Sequence, residues 1–266
     1  MEKTILDQFE REAAAWGITI SETQKEQFSD YASLLVEWNE RINLTRITEP
    51  TAICRQHFLD SIAPMRFVSF ADRSLIDIGT GAGFPGIPLK IVNPSLRLTL
   101  LDALEKRCRF LQEVVDRLGL DDDRCVSAQE NSGKPTNKDP MLKEAGSVRI
   151  LHGRAEEFAT TGTDSLRGQF DLATSRAVAK LNILCEYAIP YLKTGGQFLA
   201  YKLEDAEEEL TGAKNALAVL DATCIRREFY TLPEVTPGHG LFFIEKTGET
   251  PAKYPRRAGM PEKKPL

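Results

Sequence analysis

The sequence predicts a doubly wound α/β fold, a mostly parallel seven-stranded sheet preceded by a helical extension. Three observations carry this. From Ser74 onward, short apolar runs alternate with helical stretches, the pattern of strands joined by crossover helices. The first such run passes straight into a glycine-rich turn, Gly79-Thr-Gly81-Ala-Gly83-Phe-Pro-Gly86. Upstream, the first 70 residues read as helical.

In the extension, Ser21-Glu-Thr-Gln24 has the spacing of a capping box, and Phe28, Tyr31, Leu34, Leu35 and Trp38 then recur on one helical face. Thr48 and Pro50 mark a second helix start, followed by Ile53, His57, Phe58 and Ile62. Strands are expected at Leu75–Ile78, Leu98–Leu101, Val148–Leu151, Phe170–Thr174 and Gln197–Tyr201, with helices at roughly 105–118, 153–160 and 178–192. An acidic helix follows Leu203. Two last strands, Arg227–Leu232 and Gly240–Lys246, are joined through Pro233, Pro237 and Gly238 and are placed as a hairpin on the sheet edge. Residues 121–147 are polar and rich in turn formers, and are expected to form a mobile surface excursion. The tail from Thr250 carries four prolines and should lie extended over the surface or remain loose. The expected division is a helical extension at 1–70, the α/β domain at 71–248 and a basic tail at 249–266.

Composition narrows the function classes. A chain of 266 residues, 42% hydrophobic and 27% charged, can build a full core. It contains no apolar run long enough to span a membrane, and its acid-bearing start does not read as a signal peptide. Five cysteines stand far apart (54, 108, 125, 185 and 224) with no CxxC, which argues for reduced packing thiols in the cytoplasm and against zinc. The net charge of −5 lowers the odds of nucleic-acid binding. Residues 249–266, however, hold Lys253, Arg256, Arg257, Lys263 and Lys264 against Glu249 and Glu262, so a local basic face can coexist with an acidic average.

Closely spaced glycines after a strand let backbone N–H groups approach a ligand. Gly81-x-Gly83-x-x-Gly86 also matches the dinucleotide fingerprint, with Asp102 placed to take a ribose diol, so NAD remains open on the turn alone. Three features favour S-adenosylmethionine. Asp77 lies two residues before Gly79, the D-x-G-x-G arrangement of methyltransferases, where an acid suits the donor's amino group. Pro85 removes one N–H that a pyrophosphate would use. Ala155 and Glu156 follow the third strand, where methyltransferases read the adenine edge.

Methyl transfer from a sulfonium is a one-step displacement, so alignment and water exclusion can supply most of the catalysis. After the fourth strand the chain reads Thr174-Ser-Arg-Ala177, without the proline–aromatic motif that orients an exocyclic amine and without a Pro-Cys nucleophile. An acceptor nitrogen that is already unprotonated, such as guanine N7, fits that absence, as other acceptors would. Arg176, at the mouth of the expected pocket, is a candidate clamp for base, phosphate or carboxylate. Lys202, ending the fifth strand, and His57, with Asp60 three residues on, are further positioning candidates; none is expected to act as a general base. His152 and His239 have no partners for a metal site.

Taken together, Trp38-Asn39-Glu-Arg-Ile-Asn43-Leu-Thr45, His57-Phe-Leu-Asp60-Ser61, Asp77-Ile-Gly79-Thr-Gly-x-Gly83-x-Pro85-Gly86-Ile-Pro88, Leu101-Asp102, Ala155-Glu156-Glu157, Ser175-Arg176-Ala177 and the Lys-Tyr-Pro-Arg256 tail resemble one family. It is the bacterial small-subunit ribosomal RNA guanine-N7 methyltransferases, RsmG, formerly glucose-inhibited division protein B. The resemblance covers most of the chain and implies transfer from S-adenosylmethionine to N7 of a guanine in the decoding region of 16S rRNA. It implies donor contacts at Gly79, Phe84, Asp102, Ala155, Glu156 and Arg176, beside Asp77, Gly81 and Gly83 of the turn. Candidate RNA contacts are Arg41, Arg46, Lys106, Arg107, Lys180, Lys253, Arg256 and Arg257. The expected partner is 16S rRNA, the small subunit or an assembly intermediate, met by a cytoplasmic monomer. The alternatives are an assembly factor that binds the donor without turnover and, further off, a dehydrogenase.

Overall fold

The computed structural model describes residues 1–121, 146–162, 165–204 and 206–266. The excursion expected at 121–147 therefore lies almost wholly outside the described residues.

Seven strands form one sheet: β1 (Ser74–Ile78), β2 (Arg97–Asp102), β3 (Val148–His152), β4 (Phe170–Arg176), β5 (Leu192–Leu203), β6 (Ala222–Tyr230) and β7 (His239–Lys246). Their order is β3-β2-β1-β4-β5-β7-β6. The first five are parallel, while β7 runs antiparallel between β5 and β6. The expected hairpin is present, with β7 as its inner strand. β6 begins five residues before the expected Arg227, at Ala222: it is an edge strand whose register shifts between Cys224 and Arg226, and this irregular pairing breaks the regular alternation that marks a strand in sequence. Strand order reverses between β1 and β4, the switch point where open α/β sheets bind ligands beyond their strand ends.

Each sheet face builds its own core. On one, Leu75, Leu98, Leu100, Leu172 and Leu199 meet the extension and two crossover helices; on the other, alternate residues Ile76, Ile78, Ala173 and Ala200 pack under the later helices. The first layer holds α1 (Lys3–Ala14), α2 (Glu22–Ile42), α3 (Pro50–Ala52), α4 (Asp60–Ile62), α5 (Gly86–Val92) and α6 (Glu105–Leu118). The second holds α7 (Ala155–Phe158), α8 (Leu181–Ala188), α9 (Glu207–Gly212), α10 (Lys214–Val219) and α11 (Met260–Lys263).

The capping box forms: Ser21 Oγ accepts from Gln24 N and Gln24 Oε1 accepts from Ser21 N. Gln24 Nε2 also donates to Ile91 O at 2.8 Å, fastening α2 to α5. The next helix starts at Pro50 as expected, but its cap is the Glu49 carboxylate, which takes the N–H groups of Thr51 and Ala52. Between α3 and α4 the chain widens into a π-helical turn, Ile53–Leu59, a form that recurs at functional sites. It delivers His57 and Asp60 to the end of β4.

The tail is docked over the surface rather than loose. Arg167 donates to the carbonyls of Thr250, Pro251 and Tyr254, Arg256 pairs with buried Glu186 of α8, and Tyr254 and Pro261 are buried.

Candidate functional site

The loops after β1, β2, β3 and β4 meet at the switch point, and two adjoining hollows open there. The narrower, about 130 Å³, is a cleft lined by Gly79, Asp102, Ala155, Glu156, Val178, Tyr187 and Glu262 among others. The larger, about 640 Å³, is bounded by His57, Asp60, Arg176, Val178, Lys180, Lys202, Glu209 and His239 among others. Val178 lines both. Its side chain lies so close over the glycine turn that a Cβ on Gly79 would fall 2.6 Å from Val178 Cγ2. Position 79 therefore needs glycine twice over, for space and for its φ of +67°.

The other turn residues divide between cleft and scaffold. Asp77 is wholly buried beneath the turn; its Oδ2 accepts from Thr80 Oγ1 at 2.6 Å and Gly86 N at 2.9 Å. Its Oδ1 is buried without a partner. Burial raises the Asp77 carboxyl to a pKa of about 6, against the hydrogen bonds from Thr80 and Gly86 and the charge of Arg176. Gly81 N donates to Asp102 Oδ2. Gly83 serves packing, since a Cβ there would strike Ile87 and the Tyr31 hydroxyl. Phe84 does not line the narrow cleft. It is buried against Tyr31 and Phe58, its ring stacks on His57 at 4.4 Å, and the Arg176 guanidinium lies 5.0 Å over it.

Asp102 ends β2 on the cleft wall. Its Oδ1 accepts from Leu104 N, and its Oδ2 accepts from Gly81 N and, at 3.3 Å, from Arg107. Arg107, expected to face RNA, is thus turned onto the site carboxylate. Ala155 and Glu156 line the same cleft, but Glu156 Oε1 is bound by Gly259 N of the tail at 2.8 Å. Glu262, from α11, accepts from Tyr187. The tail therefore edges this cleft, a placement without a local sequence signal.

At the wider cavity, Arg176 Nη1 donates to Asp60 Oδ2 at 2.7 Å and to Gln56 O at 3.0 Å, and Nη2 meets His57 Nδ1 at 3.2 Å. Asp60, 3% exposed, also takes Tyr230 Oη at 2.6 Å and His239 Nδ1 at 2.9 Å. Burial works against the ionised Asp60, yet the His239 hydrogen bond and the Arg176 charge outweigh it and hold the carboxyl below its usual range. His57 is pushed down to about 3 by burial and then by Arg176, so it is neutral near pH 7. Because Nδ1 faces a donor, the network assigns the proton to Nε2, which lies 2.9 Å from Thr45 Oγ1. Both ring nitrogens are occupied. Lys202 pairs with Glu209 at 2.7 Å.

Among the described residues no group of three or more His, Cys, Asp or Glu side chains could hold a metal ion, and no helix is long and apolar enough to cross a membrane. Of the expected RNA contacts, Arg41, Arg46, Lys106, Lys180, Lys253 and Arg257 are exposed. Arg256 is partly buried and held by Glu186 through Nε and Nη2.

The family model for rRNA small subunit methyltransferase G matches residues 24–143 and 140–230. The chain is 45% identical over 252 residues to the ribosomal RNA small subunit methyltransferase G of Streptococcus gordonii, covering 94% of each. It is 45% identical to the protein of the same name from Streptococcus suis, covering 99% of this chain and 97% of that one. Among solved structures, cofactor-bound Rv0187 from MTB aligns with a TM-score of 0.51 at 17% identity, over 83% and 90% of the two chains. M. jannaschii TYW2 in complex with AdoMet aligns at 0.50 and 13% identity, over 71% and 76%. At such identities these two structures establish the fold alone.

Proposed function

This chain belongs to the rRNA small subunit methyltransferase G family, and we propose that it transfers a methyl group from S-adenosylmethionine to N7 of a guanine in the decoding region of 16S rRNA. The observation that supports this reading is the pair of hollows sharing Val178 at the switch point, one lined by Gly79, Asp102, Ala155 and Glu156 and one by Arg176 and Lys202.

In the narrow cleft, Asp102 takes the ribose diol and Ala155 with Glu156 the adenine edge, while Asp77, beneath the glycine turn, favours the donor's amino group through its charge. The donor supplies an electrophilic methyl on a sulfonium. The protein's own work is to bind, orient and exclude water. Guanine N7 carries a free lone pair and is an acceptor only, so no proton need be removed before attack. His57 suits that need, since its one lone pair is already taken by Arg176. Arg176, fixed by Asp60 and by the ring of Phe84, holds the base or its phosphate, and the nucleotide enters unpaired or flipped. The enzyme acts as a monomer in the cytoplasm.

The test is transfer of labelled methyl to small subunits, and separately to naked 16S rRNA, from cells lacking the gene, followed by mapping of the modified base. A single N7-methylguanine is expected. Label at another atom overturns the N7 reading, and donor binding without turnover leaves the protein a binding factor.

A further inference from the structure

The wall of the wider cavity holds an ion pair whose hydrogen-bonding capacity is only partly used. Lys202 stands near the carboxyl end of β5 and Glu209 in α9, and both line the cavity. Lys202 Nζ donates to Glu209 Oε2 at 2.7 Å and to Ala179 O at 2.8 Å. An ammonium has three donors, so one N–H is left over. Glu209 Oε2 also accepts from Leu181 N at 2.8 Å, the first residue of α8, which fills that oxygen. Glu209 Oε1 takes no hydrogen bond from any described residue. A spare donor and a spare acceptor therefore stand side by side on the wall of a cavity that a base would enter.

We propose that Lys202 and Glu209 select guanine as the acceptor: Lys202 donates to O6, and Glu209 Oε1 accepts N1–H together with the 2-amino group. This rests on the reading of the cavity as the acceptor pocket. The order of atoms on the base fits the pair. On guanine, O6 lies between N7 and N1, so O6 on the ammonium and N1–H on the neighbouring carboxylate leave N7 on the far side of O6. Lys202 is anchored to Ala179, the residue next to Val178 in the partition shared with the donor cleft, so the edge bearing O6 and N7 is the edge nearest that partition. Adenine reverses both contacts, setting an amino group against the ammonium and a lone pair against the carboxylate. A site built to hydrogen-bond its substrate rejects analogues that leave its polar groups unpaired far more strongly than an apolar pocket rejects a change of size.

A merely structural pair, tethering α9 to β5 and capping α8, would contribute to folding without selecting a base. Glu209→Gln distinguishes the two, because its amide oxygen still accepts from Leu181 N while Oε1 is replaced by a donor. Small subunits are reconstituted with 16S rRNA whose target guanine, mapped first with the unaltered protein, is replaced by 2-aminopurine. That base keeps N7 but lacks O6 and N1–H. The unaltered protein should lose about a hundredfold in kcat/KM on the replacement. Glu209→Gln should lose at least about tenfold on guanine, and its further loss on 2-aminopurine should shrink to less than about tenfold, since the contacts being tested are already gone. Lys202→Gln should behave alike, and donor affinity by calorimetry should stay the same in both. If either variant fails to bind the donor, the other carries the comparison. A guanine to 2-aminopurine ratio unchanged from that of the unaltered protein, whatever the absolute activity, overturns the proposal. Failure of the unaltered protein to methylate any guanine strikes the parent reading instead.

Discussion

Asp77 sits wholly buried with Oδ1 unpartnered, and burial lifts its pKa to about 6 from a reference near 4. The sign follows from linkage. A carboxyl whose folded pKa is raised favours folding only while protonated, so stability falls as pH rises through that window, by up to about 3 kcal/mol. A bound cation reverses this. Asp77→Asn should therefore leave the donor-free protein at least as thermostable at mildly basic pH while donor affinity falls at least tenfold, as measured by calorimetry and thermal melts. Donor affinity of the unaltered protein should weaken as pH drops below about 6. Unchanged binding by Asp77→Asn would remove Asp77 from the donor site. His57 offers the second residue-scale expectation: held near 3 and hydrogen-bonded on both nitrogens, it is poorly suited to take a proton. Single-turnover transfer at saturating donor and RNA should stay flat from mildly acidic to mildly basic pH. A log-linear rise with pH that His57→Ala abolishes, with both ligands still bound, would make His57 the base.

The tail turns several elements into one assembly. Arg256 meets Glu186, whose side chain is only 1% exposed, through Nε and Nη2. Breaking such a pair leaves an uncompensated buried carboxylate, at a cost of about 3 kcal/mol. Arg256→Ala should lower the melting temperature by several degrees, whereas Lys253→Ala and Arg257→Ala, at exposed positions, should leave it within measurement scatter. Equal melting temperatures for all three would show that the tail is not a structural clasp. Arg256 also marks where the sequence stops being legible. Strand and helix identities follow from local periodicity, and β1, β2 and α6 fall within a residue of their expected bounds. So does the grouping of Gly79, Asp102 and Ala155, because a strand followed by a glycine turn fixes which sheet edge they occupy. Contacts made across the chain leave no local trace. Glu186 is 70 residues from Arg256 and Tyr230 is 170 from Asp60, and the π-helical turn that carries His57 interrupts a segment whose apolar spacing is that of an ordinary helix. For the same reason the burial of the Phe84 ring beneath Arg176 leaves no local trace.

At the scale of the whole molecule, a chain of net charge −5 must bind a polyanion through a local surface. Some cations are already paired in the free protein: Arg107 with Asp102, Arg256 with Glu186 and Lys202 with Glu209. Exposed Arg46, Lys106, Lys180, Lys253 and Arg257 remain, with Arg41 shared with Glu37, and Lys180 alone of these also lines the wider cavity. Each phosphate that such a side chain neutralises releases a counterion, so the logarithm of RNA affinity should fall linearly with the logarithm of salt concentration. Removing one true contact should lower that slope by about one and weaken binding for all sequences alike. Lys180→Gln should do this and also reduce transfer at saturating RNA, because it faces the cavity as well as the solvent. Lys106→Gln should lower the slope and leave saturating transfer unchanged. Arg256→Gln, which removes a cation already held by Glu186, should leave the slope alone. Filter-binding titrations across a salt series decide the matter. A slope indifferent to every exposed substitution would mean that RNA is held on some other face. A slope that drops with Arg256→Gln would mean that the tail opens and Glu186 releases its arginine when RNA arrives.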